Sequence, residues 1–335
     1  MPRKARIDAP GALQHVIIRG IERRNIFRDH KDRYNFIKRL EKILKETVTP
    51  CFAWALMPNH IHLLLRTGLS PLSTVMLRVL TGYAVSFNRR HRRHGHLFQN
   101  RYKSILCQEE PYLKELVRYI HLNPLRAKIV SEPKDLNRYP FCGHSALMGN
   151  HSNDWQDVSY VLKLFGDKLS RARRRYFEFV RKGVAEGRRE DLIGGGLVRS
   201  AGGWSAVKAM RNSAARTKGD ERILGSGDFV EAVLKKSQEA LELRTYFQSK
   251  GYDFEWLLQR VTELFDIETK MVLRKGRYPA TVSARSVLCY WATRELGMST
   301  VELSKRLNIS QPTVSQSVRR GEKIVAERKF NILGS

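Results

Sequence analysis

The sequence predicts an α+β domain followed by an all-helical region. Two observations carry this division. Residues 11 to about 145 alternate strand-like and helix-like segments around one clear hairpin, and few strands with helices between them suit a compact α+β fold. From "GDFVEAVL" (227–234) to the end, the chain carries helical spacing only.

Each element has its own signal. "LQHVIIR" (13–19) is rich in β-branched residues and stops at Gly20, and "DRYNFIKRLEKILKET" (32–47) has apolar residues at helical spacing. "CFAWALM" (51–57) and "HIHLLLR" (60–66) are two strands parted by Pro58-Asn59, a turn signal that predicts a hairpin. A helix over 73–90, a strand over 102–108 and a helix over 111–123, opened by Pro111, complete the pattern. After Gly143 the run 166–189 is helical in tendency and carries nine basic residues against three acidic ones, which suits either a solvated helix face or a surface that tracks DNA backbone. "GGGLVRSAGG" (194–203) reads as a connector. The expected divisions are a domain at 1–145, a basic helical connector at 146–225 and an all-helical domain at 226–335.

Composition narrows the partners. The 335 residues are 42% hydrophobic, as in a globular protein, but Lys and Arg number 61 against 33 Asp and Glu, a net charge of +28. Such a surplus attracts polyanions, and nucleic acid fits better than an anionic membrane because the basic residues are spread through folded segments. No apolar run approaches the ~20 residues that span a bilayer. Cys51, Cys107, Cys142 and Cys289 form no CxxC pair, so neither a zinc knuckle nor a disulfide framework is indicated. A cytoplasmic protein in a reducing compartment is expected, with no membrane partner.

"PNHIHLLL" (58–65) places His60 and His62 on one face of a strand, with Ile61, Leu63 and Leu65 on the other. For such a pair taken alone, an ordinary half-buried strand is the commoner reading and a metal site the functional alternative. Tyr119 and Asn123 are four apart and share a helix face, provided that Pro124 leaves the helix intact. A tyrosine attacks phosphorus once activated, its free pKa being about 10. A divalent cation on two imidazoles and an amide oxygen would polarise that phosphate. His121 lies about 200° from Tyr119 around the helix and reads as structural.

"GALQHVIIRGIERRNIF" (11–27), "MPNHIHLLL" (57–65), "GHLFQNRYKSIL" (95–106) and "YLKELVRYIHLNPLRAKIV" (112–130) together resemble, in order, the sequence blocks of REP-associated tyrosine transposases. These are IS200-like, single-tyrosine HUH enzymes. The resemblance covers about the first 145 residues. It implies a ferredoxin-like antiparallel sheet with helices, and metal-assisted cleavage and rejoining of single-stranded or hairpin DNA at repetitive extragenic palindromes. It also implies Tyr119 as nucleophile, a 5′-phosphotyrosine intermediate, and His60 and His62 as ligands of Mg²⁺ or Mn²⁺. Related transposases complete the metal site with a glutamine four residues after the tyrosine; here Asn123, with a shorter side chain, takes that place. Such enzymes occur as monomers and homodimers. Arg19, Arg23, Arg24, Arg101 and Lys103 are placed in these blocks to meet DNA or to serve as plain surface charges. His15 shares a strand face with Arg19 and suits DNA contact or packing. "HRRHGH" (91–96) reads as a basic loop rather than a second metal site.

"STVELSKRLNISQPTVSQSVRR" (299–320) reads as helix, tight turn, helix. Ser299 with Glu302 makes a capping box, Asn308 suits the left-handed turn, and Ser310 caps a second helix whose first turn tolerates Pro312. Ile309, Val314 and Val318 are its buried face, and Gln311, Thr313, Ser315, Gln316 and Arg319 its polar residues for a duplex major groove. The stretch 277–324 resembles the C-terminal DNA-binding domain of the bacterial replication initiator DnaA. Beside the enzyme stands a non-catalytic reading, a regulator that binds hairpins or a promoter, and a third, an RNA-hairpin binder.

Overall fold

The computed structural model describes residues 7, 9, 11–68, 70–187, 189, 192, 220, 222–273, 276 and 278–333. The described residues divide into two compact units that part between Val233 and Leu234. Strand β1 (Leu13–Arg19), helix α1 (His30–Thr47), strands β2 (Cys51–Leu56) and β3 (His60–Arg66), helix α2 (Leu72–Arg90) and strand β4 (Lys103–Cys107) follow in that order. The strands lie side by side as β2-β3-β1-β4, each pair antiparallel, which is the ferredoxin-like arrangement.

One correction concerns the edge. A fifth strand, β5 (Ile223–Leu224), pairs with β4 in parallel, so the sheet is mixed rather than purely antiparallel.

The two-residue period of the strands sorts their side chains between two cores. Val16, Ile18, Ile61, Leu63 and Leu65 pack under α1 and α2, where Phe36, Leu40, Val79 and Tyr83 meet them. The opposite face carries Leu13, Leu64, Ile105 and Cys107 under helix α3 (Glu109–His121). His60 and His62 belong to this second face, because Arg19 pairs with His60 and Ile17 with His62 in the register.

Helices α4 (Asn123–Arg126), α5 (His144–Met148), α6 (Val158–Lys163) and α7 (Leu169–Lys182) follow α3. Residues 158–182, expected within a connector, are not one: Val161, Leu162, Ala172, Tyr176 and Val180 are buried in the α3 core. The basic residues of that run therefore sit on the outer side of a docked helix. The stretch 194–203 lies outside the described residues.

Buried polar groups fasten this layer. Tyr176 Oη lies 2.7 Å from Nδ1 of both His121 and His144, and His144 Nε2 donates to Asn137 Oδ1 at 2.9 Å. With that nitrogen protonated, His144 Nδ1 accepts from Tyr176, and Tyr176 accepts from His121 Nδ1. His121 is thus structural, as its position on the helix predicts. Burial holds the His144 pKa down, to about 3. The four cysteines are free and buried.

The second unit is helical. Helix α8 (Gly227–Ser249) leads to α9 (Phe254–Phe265), α10 (Thr269–Leu273), α11 (Pro279–Arg294), α12 (Thr300–Arg306) and α13 (Gln311–Arg328). Buried Ala284, Val287, Leu288, Trp291 and Ala292 make α11 the central helix. Gly321 of α13 crosses it so closely that a Cβ there would lie 2.0 Å from the Ser286 carbonyl oxygen. No helix among the described residues is long and apolar enough to cross a membrane.

Candidate active site and nucleic-acid interface

The β1–β3–β4 face and the end of α3 enclose a cleft of about 770 Å³. His60, His62, Tyr119, Asn123, Arg19, Arg101 and Lys103 line it together, although they come from five elements and the 99–102 loop. The rings of His60 and His62 have centroids 5.1 Å apart, and that of His62 is 5.8 Å from Tyr119.

Each imidazole is held through one nitrogen. Asn59 Nδ2 donates to the Arg23 carbonyl at 3.0 Å, so its Oδ1 is the acceptor for His60 Nδ1–H at 2.6 Å. His62 Nδ1 lies 3.0 Å from Nε2 of His15. Both contacts use Nδ1 and leave Nε2 as the remaining nitrogen of each ring. Burial, then the Arg19 cation, lowers the His60 pKa to about 4. Burial again, then His15, His60 and Arg19, holds His62 well below its ordinary value. Both rings are neutral at pH 7, the form that donates a lone pair.

Pro124 does not break the face shared by Tyr119 and Asn123. Leu122 N donates to Arg118 O at 3.0 Å and Arg126 N to Leu122 O at 2.9 Å, so the helical path continues from α3 into α4. Pro124 has no N–H for the carbonyl of Ile120. The Asn123 side chain supplies the donor: Nδ2 bonds Ile120 O at 3.3 Å and Tyr119 O at 3.0 Å. Because the amide nitrogen faces the helix carbonyls, Oδ1 is the end turned from them. Asn123 thereby caps the end of α3 and keeps Oδ1 as an acceptor.

The cations divide. Arg19, Arg101 and Lys103 line the cleft, which has no Asp or Glu among its described lining residues. Arg23 and Arg24 do not line it: Arg24 is exposed and pairs with Glu22 at 2.7 Å, and Arg23 serves through its carbonyl under Asn59. The loop that carries them has left-handed backbone at Glu22 (φ 51°) and Arg23 (φ 59°), which points their side chains elsewhere than an extended strand would. In the 91–96 loop, His91 Nε2 meets the Asp32 carboxylate at 2.9 Å. Gln99, Asn100 and Arg126 line the cleft unforeseen. The spacing of Arg126, seven after Tyr119 and three after Asn123, would have placed it had Pro124 not argued against a continuous helix.

Residues 11–123 match the family described as transposase IS200 like. The matched stretch runs from β1 through Asn123 and contains His60, His62 and Tyr119. A solved structure of a REP-associated tyrosine transposase bound to a REP hairpin is similar over 47% of this chain and 94% of its own, at 15% identity and a TM-score of 0.37. The replication initiator DnaA of Pseudothermotoga lettingae is 27% identical over 99 residues, 30% of this chain. Those residues span 22% of that protein.

Beyond the matched stretch, the helix-turn-helix forms on its N-cap and turn signals, while the reciprocal half of the capping box is not made, Glu302 Oε1 lying 3.8 Å from Arg306 Nε instead. Ser299 Oγ accepts from Glu302 N at 3.1 Å, Asn308 is left-handed (φ 48°), and Ser310 Oγ accepts from Thr313 N at 3.3 Å. Val314 and Val318 are fully buried, while Ile309 is half-buried. Thr313, Gln316 and Arg319 are exposed on α13 at three-residue spacing. Ser315 is not: it is 3% exposed and faces the unit's interior, so it is removed from the groove-reading set. Gln311 is half-buried and donates to Thr300 Oγ1 at 3.0 Å, tying α13 to α12.

Proposed function

We propose that the chain is a single-tyrosine DNA strand transferase with an appended duplex-binding module. The observation that carries this reading is the convergence of Tyr119, two neutral imidazoles and the Asn123 amide on one cationic cleft. Two imidazole nitrogens and an amide oxygen suit Mn²⁺ well and Mg²⁺ acceptably, with substrate oxygens and water to fill the remaining positions. His60 and His62 through Nε2, and Asn123 through Oδ1, would hold the ion. When bound, it supplies Lewis-acid polarisation of the phosphate.

The chain's own residues do the rest. Arg19, Arg101 and Lys103 draw the phosphodiester backbone into the cleft and neutralise it. Tyr119 Oη attacks phosphorus; the P–O3′ bond breaks, and the leaving 3′ oxygen gains a proton as the phenol loses one through solvent. A 3′ hydroxyl and a 5′-phosphotyrosine result, and attack by a second 3′ hydroxyl reverses the linkage without external energy. Hairpins of repetitive extragenic palindromes are the proposed substrate. The exposed Thr313, Gln316 and Arg319 hold neighbouring duplex.

The test uses labelled hairpin oligonucleotides with randomised single-stranded flanks, incubated with the full chain and Mn²⁺. A covalent adduct that survives denaturing electrophoresis and is abolished in Tyr119→Phe is expected. Tight binding with no adduct would instead support the non-catalytic regulator.

A further inference from the structure

Arg126 is a cleft residue with buried donors left unpaired. Its guanidinium carbon lies 5.4 Å from the centre of the Tyr119 ring. Nε and Nη1 are both buried, and neither has a hydrogen-bond partner. The aromatic face satisfies the charge in part but accepts none of the N–H groups that lie in the guanidinium plane. A buried N–H without an acceptor is costly, and water, an ion or a ligand commonly completes it.

Three features point to which ligand. Arg126 shares a face with Tyr119 and Asn123 through the continuous α3–α4 path, so its donors and the attacking oxygen approach the same volume. That volume is lined by cations and has no carboxylate among its described lining residues, which suits an anion. The planar fork of a guanidinium matches two oxygens of one phosphate, which an ammonium cannot do.

We infer that Arg126 is a catalytic residue that grips the non-bridging oxygens of the scissile phosphate beside Tyr119. The inference rests on the reading of Tyr119 as nucleophile. In this role Arg126 holds phosphorus in line with the phenolic oxygen and takes up the charge that builds on the oxygens during attack. It differs from Arg19, Arg101 and Lys103, which are exposed and meet the strand as it enters. Tyr119 packs on one side of the guanidinium, so part of its ordering is already in place when substrate arrives.

The experiment measures adduct formation on the hairpin pool selected with the wild-type chain, in Arg126→Gln, Arg126→Lys and Arg126→Ala. Expected is a fall of about 100-fold or more in the single-turnover rate for Arg126→Gln, with hairpin affinity much less changed. Arg126→Lys keeps the charge but not the fork and should recover only part of the rate. In Arg126→Ala, free guanidinium ion at non-denaturing concentration should restore activity, which a packing role would not allow. Adduct formation at the wild-type rate in Arg126→Gln would overturn the inference and leave the proposed function standing. So would loss of activity in all three variants that guanidinium does not restore, since the side chain would then be structural. No adduct with the wild-type chain on any member of the pool would overturn the proposed function, and this inference with it.

Discussion

Asn59 does more for His60 than the turn it helps to form. Its amide is locked at one end by the Arg23 carbonyl and presents oxygen at the other, which fixes the His60 tautomer with Nε2 unprotonated. Asn59→Ala removes that acceptor and leaves the carbonyl of Arg23 to water. Outer partners of this kind typically change metal affinity or activity by about 10–100-fold. Asn59→Ala is therefore expected to raise the Mn²⁺ concentration needed for half-maximal adduct formation by about tenfold or more, at an unchanged melting temperature. An unchanged Mn²⁺ requirement would show that the histidine needs no such partner. The spacing of the two histidines was legible in the sequence; their partners were not. Asn59 read as a turn residue, and His15 is 47 positions from His62, brought against it only by the pairing of β1 with β3.

At the scale of elements, helix ends and crossings decide what the spacing leaves open. In the sequence, the face shared by Tyr119 and Asn123 depends on whether Pro124 interrupts the helix. Spacing alone does not count the Asn123 amide, which takes the place of the missing proline N–H. The helix-turn-helix, by contrast, was readable almost residue by residue, because capping and left-handed turns are local chemistry. What locality does not reveal is the crossing of α11 by α13. Gly321 reads as a weak point in a helix, yet its missing side chain lets the helices meet, with the Ser286 carbonyl where a methyl would stand. Gly321→Ala should force the helices apart, at a cost of about 1–3 kcal/mol, which outweighs the roughly 1 kcal/mol that alanine gains in helix propensity. Denaturant unfolding of the full chain should show a lower midpoint for the second unit, with adduct formation by the first unit retained. A midpoint at or above that of wild type would mean that the crossing has room to spare.

At the scale of the whole chain, the order of strands and helices followed from alternation and turn signals, and the four main strands fall within two residues of their expected bounds. The sheet's edge was illegible. Ile223 and Leu224 form a strand too short to show alternation, and they sit more than a hundred residues from the partner they cover. Their position nonetheless has a consequence. β4 is the last long strand of the sheet, and Leu106 N and Gln108 N donate outward to the carbonyls of Arg222 at 2.8 Å and Leu224 at 2.7 Å. Without β5 those groups would form an open edge, ready to pair with a second copy. Ile223 and Leu224 are 2% and 1% exposed, so burial of the two side chains holds the strand down. Replacing both with aspartate would place two charges where no partner waits and detach β5 from the edge. The double variant Ile223→Asp, Leu224→Asp is therefore expected to keep its helix and strand content by circular dichroism while self-associating. Light scattering coupled to size-exclusion chromatography should give a mass above that of wild type at equal concentration. The same mass as wild type, with secondary structure preserved, would mean that β4 is guarded by something other than these two residues.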